Sequence, residues 1–413
     1  METPFTRTPR GFVDRAGEDV QRITAVVRSF QDISARYGFI PLTPAPVGYA
    51  ETFERFGSAA HERMFVFPDR KERRLALTAD SLPAVLRALH GTGLLHGGAP
   101  VAASGEVLIA RYVRKPLRSW THLTAVMWQH PVELAADLTL ARLWTDVFQR
   151  LDVTFRAVYT DFGVVDVVAE QLGLGPGEAR LALYRQRKAI PQEDDRAEEL
   201  LDRLGLVRAA AQPKSDPEAA LIAVRRAAPH LAERTDHIHA VLAESRRIGT
   251  DVVLDWSWQH GTQYHAGLSF LLRGADGRIL ADGGGYHHIV GQLDPGTRSC
   301  WSSAGGAERI AGVITLPRAP LVHLYRLGDF DADQFLRIAT DMRAAGHHVR
   351  EHWQPHGSGR GARRIPPDPW VWVALVGSRE QEAQAVTVRN AADASLSFEV
   401  PLRSKASAVH APS

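Results

Sequence analysis

Apolar side chains recur at three- and four-residue intervals near the start of the chain, at Val20, Ile23, Val26, Val27, Phe30 and Ile33. That spacing predicts an amphipathic helix over residues 16–37, ended by Gly38. A proline-broken extended stretch, "FIPLTPAPV", follows. Strands are predicted over 73–78 and 106–112, with a helix between them over 81–90 and Asp80 and Ser81 placed to cap it. Residues 135–151 and 164–172 read as helices, and 176–247 as a charged, Ala- and Leu-rich helical region without a strand signal. Then the period changes. "DVVLDWSW", "AGLSFLLRG" and "GRILADGGG" read as strands, the last two joined by the turn "GADG". Residues 320–402 run strand, helix (332–345), strand, turn, strand, an α/β pattern of its own.

Composition narrows the function classes. The formal net charge of +2 on 413 residues gives no field of one sign aimed at nucleic acid or a membrane. A single cysteine, Cys300, excludes an intrachain disulfide and a cysteine-based zinc site, and is expected to be a small buried side chain beside Trp301. No apolar leader or 18-residue apolar run occurs, so a cytoplasmic protein is expected.

The stretch "LADGGGYHHIVGQL" invites a phosphate-loop or metal reading. It lacks the G-x-G-x-x-G spacing and the strand–turn–helix setting of a dinucleotide loop. His287 and His288 are neighbours on a predicted strand, so their side chains point to opposite faces and do not share one ion. One packed and one exposed imidazole is the expectation, with the glycines letting the backbone lie tightly against a sheet.

The order of segments resembles the histidyl-tRNA synthetase family, class II aminoacyl-tRNA synthetases, across nearly the whole chain. "RYGFIPLTPAPVGYAETFERFG" is similar to motif 1, the dimer-forming helix and strand. "MFVFPDRKERRLALTADSLPAVLRAL" resembles the unit that carries L-R-P-E-G-T-A, and "RYVRKPLRSWTHLTAVMWQHP" resembles motif 2. "LDWSWQHGTQYHAGLSF" stands where the family has R-G-L-D-Y-Y-T-G, "GGGYHHIVGQL" replaces G-G-R-Y-D-G-L, and "SSAGGAERI" replaces motif 3. The tail segment resembles the anticodon-binding domain.

The resemblance implies an α+β fold: an antiparallel class II sheet with flanking helices over 1–172 and 248–316, a helical insertion over 173–247, an anticodon-binding-like α/β domain over 320–402 and a tail over 403–413. It also implies ATP with Mg2+ as cofactors, a homodimer, no membrane partner, and activation of a small carboxylic or amino acid as its adenylate. Such chemistry asks the protein to hold a bent triphosphate and a carboxylate in line and to neutralise charge at the α-phosphorus, which suits arginine's planar fork.

By resemblance Arg111 meets the α-phosphate and the substrate carboxylate, Arg309 the γ-phosphate, and Arg114 and Arg118 line the motif 2 loop. Asp80 takes the place of the glutamate that holds the substrate ammonium, and Gln129, Gln263, Tyr264 and Tyr286 line the substrate site. The departures matter as much. The adenine-reading glutamate is Val113, and the catalytic arginine particular to histidyl enzymes is His260, which makes activity pH-dependent near neutrality if its imidazolium substitutes for that arginine. The run F-H-Q-x-G-V-E has become Leu123 to Gln129, so histidine is not expected to be recognised in the family's way. In the tail domain "GSGRGARRIPPDPW" replaces a helix, which alters the surface for tRNA despite Arg360, Arg363 and Arg364. Three functions stay open: a repurposed adenylate-forming ligase, an inactive synthetase-like regulatory subunit such as that of ATP phosphoribosyltransferase, and a divergent histidine–tRNA ligase.

Overall fold

The computed structural model describes residues 7–55, 61–96, 98–113, 117–188, 190–192, 194–206, 217–257, 266–287, 290, 299–328, 330–353 and 365–401. The chain divides into two units, Met1–Thr315 and Leu316–Ser413.

The first unit opens with helix α1 (Glu18–Arg36), whose buried face is Val26, Phe30 and Ile33, and Gly38 beyond it takes φ +77°, the left-handed turn a glycine adopts without cost. Short strands β1 (Ile40–Pro41) and β2 (Val47–Tyr49) and helix α2 (Ala50–Glu54) follow. Strands β3 (Val66–Pro68) and β4 (Arg74–Leu77) make a small antiparallel sheet with β2 in the order β2-β4-β3. Helix α3 (Ser81–Gly91) leads to the long strands β5 (Val101–Ala110) and β6 (Ser119–Trp128). Strand β5 begins five residues before the expected 106, because Val101 and Ala103 belong to the apolar face that α3 covers.

Next come α4 (Glu133–Arg150), β7 (Phe155–Asp161) and α5 (Phe162–Glu170), then the helices α6 (Pro176–Arg187), α7 (Asp195–Arg203), α8 (Pro217–Ala227) and α9 (Ala232–Arg247). Strands β8 (Asp251–Leu254), β9 (Ala266–Gly274), β10 (Ile279–Gly285) and β11 (Cys300–Gly306) and a short helix, Ala307–Ala311, complete the unit. The eight-stranded sheet has the order β1-β5-β6-β11-β10-β9-β7-β8. Only the outer pairs, β1 with β5 and β7 with β8, run parallel.

The two faces of this sheet have different covers. Residues paired across strands share a face. On one face the Trp144 indole of α4 donates to Ser303 Oγ (2.9 Å) and the Tyr159 hydroxyl meets Ser245 Oγ of α9 (2.9 Å). On the other, α3 packs over Val101, Ala103, Val107 and Ile109 of β5 and Val126 and Trp128 of β6, leaving the part of that face on β11, β10 and β9 beside it. The glycines of the opening puzzle lie inside β10. A Cβ on Gly283 would stand 2.6 Å from Ser303 Cβ and 2.8 Å from the Phe270 ring, so close packing across three strands demands glycine there.

The second unit is a five-stranded sheet, β13-β12-β14-β15-β16, from β12 (Leu321–Arg326), β13 (His348–Trp353), β14 (Val371–Val376), β15 (Ala385–Asn390) and β16 (Ser397–Pro401). The helix Ala332–Ala344, capped by Asp331 on Gln334 N (2.7 Å), buries Phe335, Ile338, Ala339 and Met342 against it. Of the run that replaces a helix, the glycine-bearing part up to residue 364 lies outside the described residues, while 365–370, with Pro366, Pro367 and Pro369, carry no helix.

Candidate active site

Strands β5 and β6 form a hairpin, and Arg111 stands one residue past the end of β5, its backbone N–H bonded to Arg118 O (2.9 Å). Its side chain turns back over the N-terminus of α3. The guanidinium donates to Ala79 O and lies 3.4 Å from the Asp80 carboxylate, with Cζ 5.8 Å from the Trp120 ring. Asp80 occupies the N-cap position of α3, yet its side chain accepts no helix N–H. The expected capping bond is absent because the carboxylate serves the arginine instead. Both groups are about one-fifth exposed, enough for a ligand to reach.

Arg309 reaches the same edge of the sheet from β11. It sits on the short helix Ala307–Ala311 and donates from Nη1 to Ile279 O (2.8 Å). Gly306 makes this fold-back feasible, since a Cβ there would be 2.6 Å from Arg309 Nε. Each guanidinium carries five N–H donors, and a backbone carbonyl orients it without neutralising it.

The group that ties the two arginines together is one the sequence reading passed over. His122 on β6 pairs with Val107 of β5 and with Gly306 of β11, and its Nδ1 is 3.4 Å from Ser81 Oγ at the start of α3. Desolvation first, then repulsion from Arg111 and Arg309, pushes its imidazole down to about 3, against a smaller attraction from Asp282. His122 is therefore a neutral ring between two fixed cations. Period-two alternation is the signal that would have found it: Trp120, His122 and Thr124 share the face that Arg111 overhangs. Glu308, also missed, accepts the Thr121 N–H at 2.9 and 3.1 Å, locking the helix of Arg309 onto β6.

Other expected site residues separate. Arg118 is in the hairpin, stacked over the Tyr112 ring at 4.2 Å and donating to Val113 O (3.3 Å), so the residue that lost a carboxylate still contributes its carbonyl. Gln129 ends β6 with φ +53°, its N–H bonded to Ser299 O (2.8 Å). Tyr286 packs against the cluster formed with α3. His287 lies beyond the end of β10 rather than on a strand; its Nδ1 accepts from the Cys300 N–H (3.0 Å) and the ring meets Trp301 edge-on at 4.5 Å. Cys300 is buried beside it, its thiol pushed far up by desolvation. Arg114, His260, Gln263, Tyr264 and His288 lie outside the described residues.

Deeper on the same face the strand register lines up a second feature. Thr160, Ser269, Gly284, Ser302 and Val126 form one cross-strand row over β7, β9, β10, β11 and β6; Val158, Leu271, Asp282, Ala304 and Thr124 form the next, nearer Arg309. The hydroxyls of Thr160, Ser269 and Thr124 are buried, at 0, 0 and 1% exposure, and have no hydrogen-bond partner.

No prebuilt Mg2+ cage accompanies the arginines among the described residues. Among the described residues the carboxylate–histidine group with metal-ligand spacing is Glu133, Asp137 and His237, on the opposite face. There Arg234 donates to Glu133 Oε1 and to the fully buried Asp161 (2.6 Å), and His237 pairs with Asp137 (2.8 Å), which makes an ion-pair network joining α4, α9 and β7.

Known proteins resemble this chain throughout its length. Histidine–tRNA ligase of Ehrlichia ruminantium (strain Gardel) is 20% identical over 406 residues, covering 94% of each chain, and that of Saccharolobus solfataricus is 30% identical over 82 residues, 20% of this chain and 19% of its own. The crystal structure of histidyl-tRNA synthetase from Nostoc sp. PCC 7120 superposes with a TM-score of 0.76 at 14% identity, over 96% of this chain and 97% of that one. That of an ATP phosphoribosyltransferase regulatory subunit/histidyl-tRNA synthetase from Bacillus halodurans gives 0.72 at 15%, over 88% and 97%. These likenesses establish the class II synthetase fold. The family model for histidyl-tRNA synthetase matches residues 11–306, and the chain belongs to the histidyl-tRNA synthetase family.

Proposed function

We propose that this protein is an ATP-dependent, adenylate-forming ligase that activates a small amino or carboxylic acid other than histidine. The observation that carries the reading is the convergence of Arg111 and Arg309 around neutral His122 at one edge of the sheet. Two guanidiniums held by carbonyls, with donors to spare, suit the two ends of a bent triphosphate. Asp80, 3.4 Å from Arg111, stands where a substrate ammonium would pair while its carboxylate meets the arginine. The acyl acceptor then takes the activated group in a second step; a homodimer through the motif 1 region accompanies this reading, as does an acceptor other than the usual tRNA.

In this mechanism the arginines hold the phosphates in line with the carboxylate. ATP supplies the leaving pyrophosphate and brings Mg2+ to shield its charge. The test is ATP–pyrophosphate exchange with single amino acids, run with Arg111→Ala alongside. Exchange driven by a non-histidine acid and lost in the variant supports the proposal, whereas exchange with histidine alone restores a histidine–tRNA ligase.

A second reading, an inactive regulatory subunit, is favoured by one observation: Val113 supplies no side-chain acceptor for the adenine amino group. ATP affinity too weak to detect, together with copurification of a phosphoribosyltransferase, would establish it.

A further inference from the structure

Residues 7–17 form neither helix nor strand and mostly face solvent, yet Gly11, Phe12 and Arg15 are half-buried among exposed neighbours. Each of the three leads to the candidate site. Gly11 O accepts the Arg118 N–H (2.8 Å), and Arg118 O in turn accepts the Arg111 N–H (2.9 Å), so the segment holds the residue that holds Arg111. The Phe12 ring meets Phe65 at 5.6 Å, and Phe65 meets Tyr112, the ring that Arg118 overlies, at 5.8 Å. Arg15 Nη2 lies 3.9 Å from Glu308 Oε1, on the carboxylate that accepts the Thr121 N–H and anchors the helix of Arg309. Glycine is required at the first of these points. The Phe12 N–H bonds to Pro9 O (2.9 Å), closing a tight turn with Gly11 at φ +87°, and a Cβ on Gly11 would stand 2.5 Å from Arg118 Cγ.

We propose that residues 11–15 are a brace that sets the spacing of Arg111 and Arg309, with Gly11 and Arg15 as positioning residues for the triphosphate. The inference rests on the adenylation reading for the ligand, and goes beyond it by giving a segment that touches neither guanidinium a part in the reaction. The two anchor points are separated by at most about 14 Å of chain, so one short length ties the hairpin of Arg111 to the helix of Arg309. Neither anchor neutralises an arginine. Gly11 acts through its carbonyl on the Arg118 backbone and Arg15 through Glu308, which leaves the spare guanidinium donors for an anion. Such support matters because a reacting group misplaced by about 1 Å can lose about 100-fold in rate.

The test compares full-length wild type with Gly11→Ala, Arg15→Ala and Arg15→Lys, and with Val13→Ala at an exposed position of the same segment as control. Pyrophosphate exchange gives kcat and KM for ATP, calorimetry the affinity for ATP with Mg2+, and thermal unfolding the Tm. The expected result is a split. Gly11→Ala, which displaces the Arg118 backbone that holds Arg111, lowers kcat about 10- to 100-fold. Arg15→Ala, which frees Glu308 beside Arg309, raises KM for ATP about 2- to 5-fold, the scale of one partly exposed ion pair. Arg15→Lys restores most of that loss, since a point charge suffices at 3.9 Å. The Tm stays within about 4 °C of wild type throughout, and Val13→Ala is silent. Equal falls in kcat at unchanged KM in Gly11→Ala and Arg15→Ala, tracking Tm, overturn the inference, because loss of folded protein acts that way. So does a Val13→Ala effect as large as that of Arg15→Ala. Exchange that is lost in Arg111→Ala but untouched in every variant of the segment sinks the brace and leaves adenylation standing. If wild type exchanges with no acid yet binds ATP, adenylation falls and affinity decides the brace: weakening in Arg15→Ala that Arg15→Lys reverses upholds it, and equal affinities sink it. Absence of ATP binding overturns both.

Discussion

The two ends of one sheet face are built on opposite principles. At the arginine edge every charged group is already held: Arg111 by Ala79 O and Asp80, Arg309 by Ile279 O, Glu308 by the Thr121 N–H. In the middle of the same face Thr124, Ser269 and Thr160 are buried with nothing to bond. Charges must be oriented in advance, because an unpaired buried charge is far costlier than an unpaired hydroxyl, and because preorganised donors need no rearrangement when charge develops. A neutral hydroxyl left unpaired in a packed interior costs about 1–3 kcal/mol and is tolerated there.

Arg111 is where the comparison breaks most easily. Arg111→Ala should lower pyrophosphate exchange by about 100-fold or more, the scale of losing one preorganised donor at the reacting centre. Arg111→Lys should recover little, since an ammonium cannot reproduce the fork that spans Ala79 O and Asp80 while meeting an anion. Loss confined to KM for ATP, with kcat intact, would sink its assignment to the α-phosphate and the carboxylate.

Gly306→Ala probes the second arginine without touching it. The new Cβ would be 2.6 Å from Arg309 Nε and must expel the guanidinium from its seat on Ile279 O. A roughly 10-fold loss of exchange is expected, mainly as a raised KM for ATP, and Arg309→Ala should then add little to it because the two changes remove one contact. Additive losses would show that Gly306→Ala acts by another route, and an Arg309→Ala variant with unchanged exchange would place Arg309 outside the site.

How much of this was legible in the sequence differs between the same two ends. Arg111 and Arg309 were readable as candidates because each falls at a motif position of the family the chain resembles. Asp80 was read as cap and ligand together, and only the fold decides between them: Arg111 returns over the helix end and takes the carboxylate. His122 was hidden, since a histidine in "SWTHLTAV" carries no spacing signal until β6 is registered against Val107 and Gly306. The hydroxyl row was hidden for the same reason. Its members come from five strands, and a cross-strand row has no linear signature. The glycines of β10 were correctly read as a packing demand, but the partners, Ser303 and Phe270, were set by pairing across the sheet.

The smallest expected effect compares the two faces through their titrating groups. His122, on the arginine side, is pushed from 6.5 to about 3 by desolvation, Arg111 and Arg309. Between those pH values the unfolded chain binds a proton that the native state refuses, so its contribution is present above 6.5 and is lost as pH falls. Asp137, on the opposite face, is raised from 3.8 to about 6 by desolvation, against the His237 hydrogen bond that lowers it. Its contribution is present below 3.8 and is lost as pH rises through 6. Each group has a slope of at most about 1.4 kcal/mol per pH unit. From pH 6 down to 4 the two slopes oppose, and their joint effect on stability is close to flat. Single variants should unmask them. Urea unfolding at pH 4, 5 and 6 should show Asp137→Asn losing stability on acidification relative to wild type, and His122→Gln gaining it, each by about 1–2 kcal/mol over the range. If the two difference curves slope the same way, the neutral histidine between the arginines is not neutral. The site would then hold a third cation rather than a spacer.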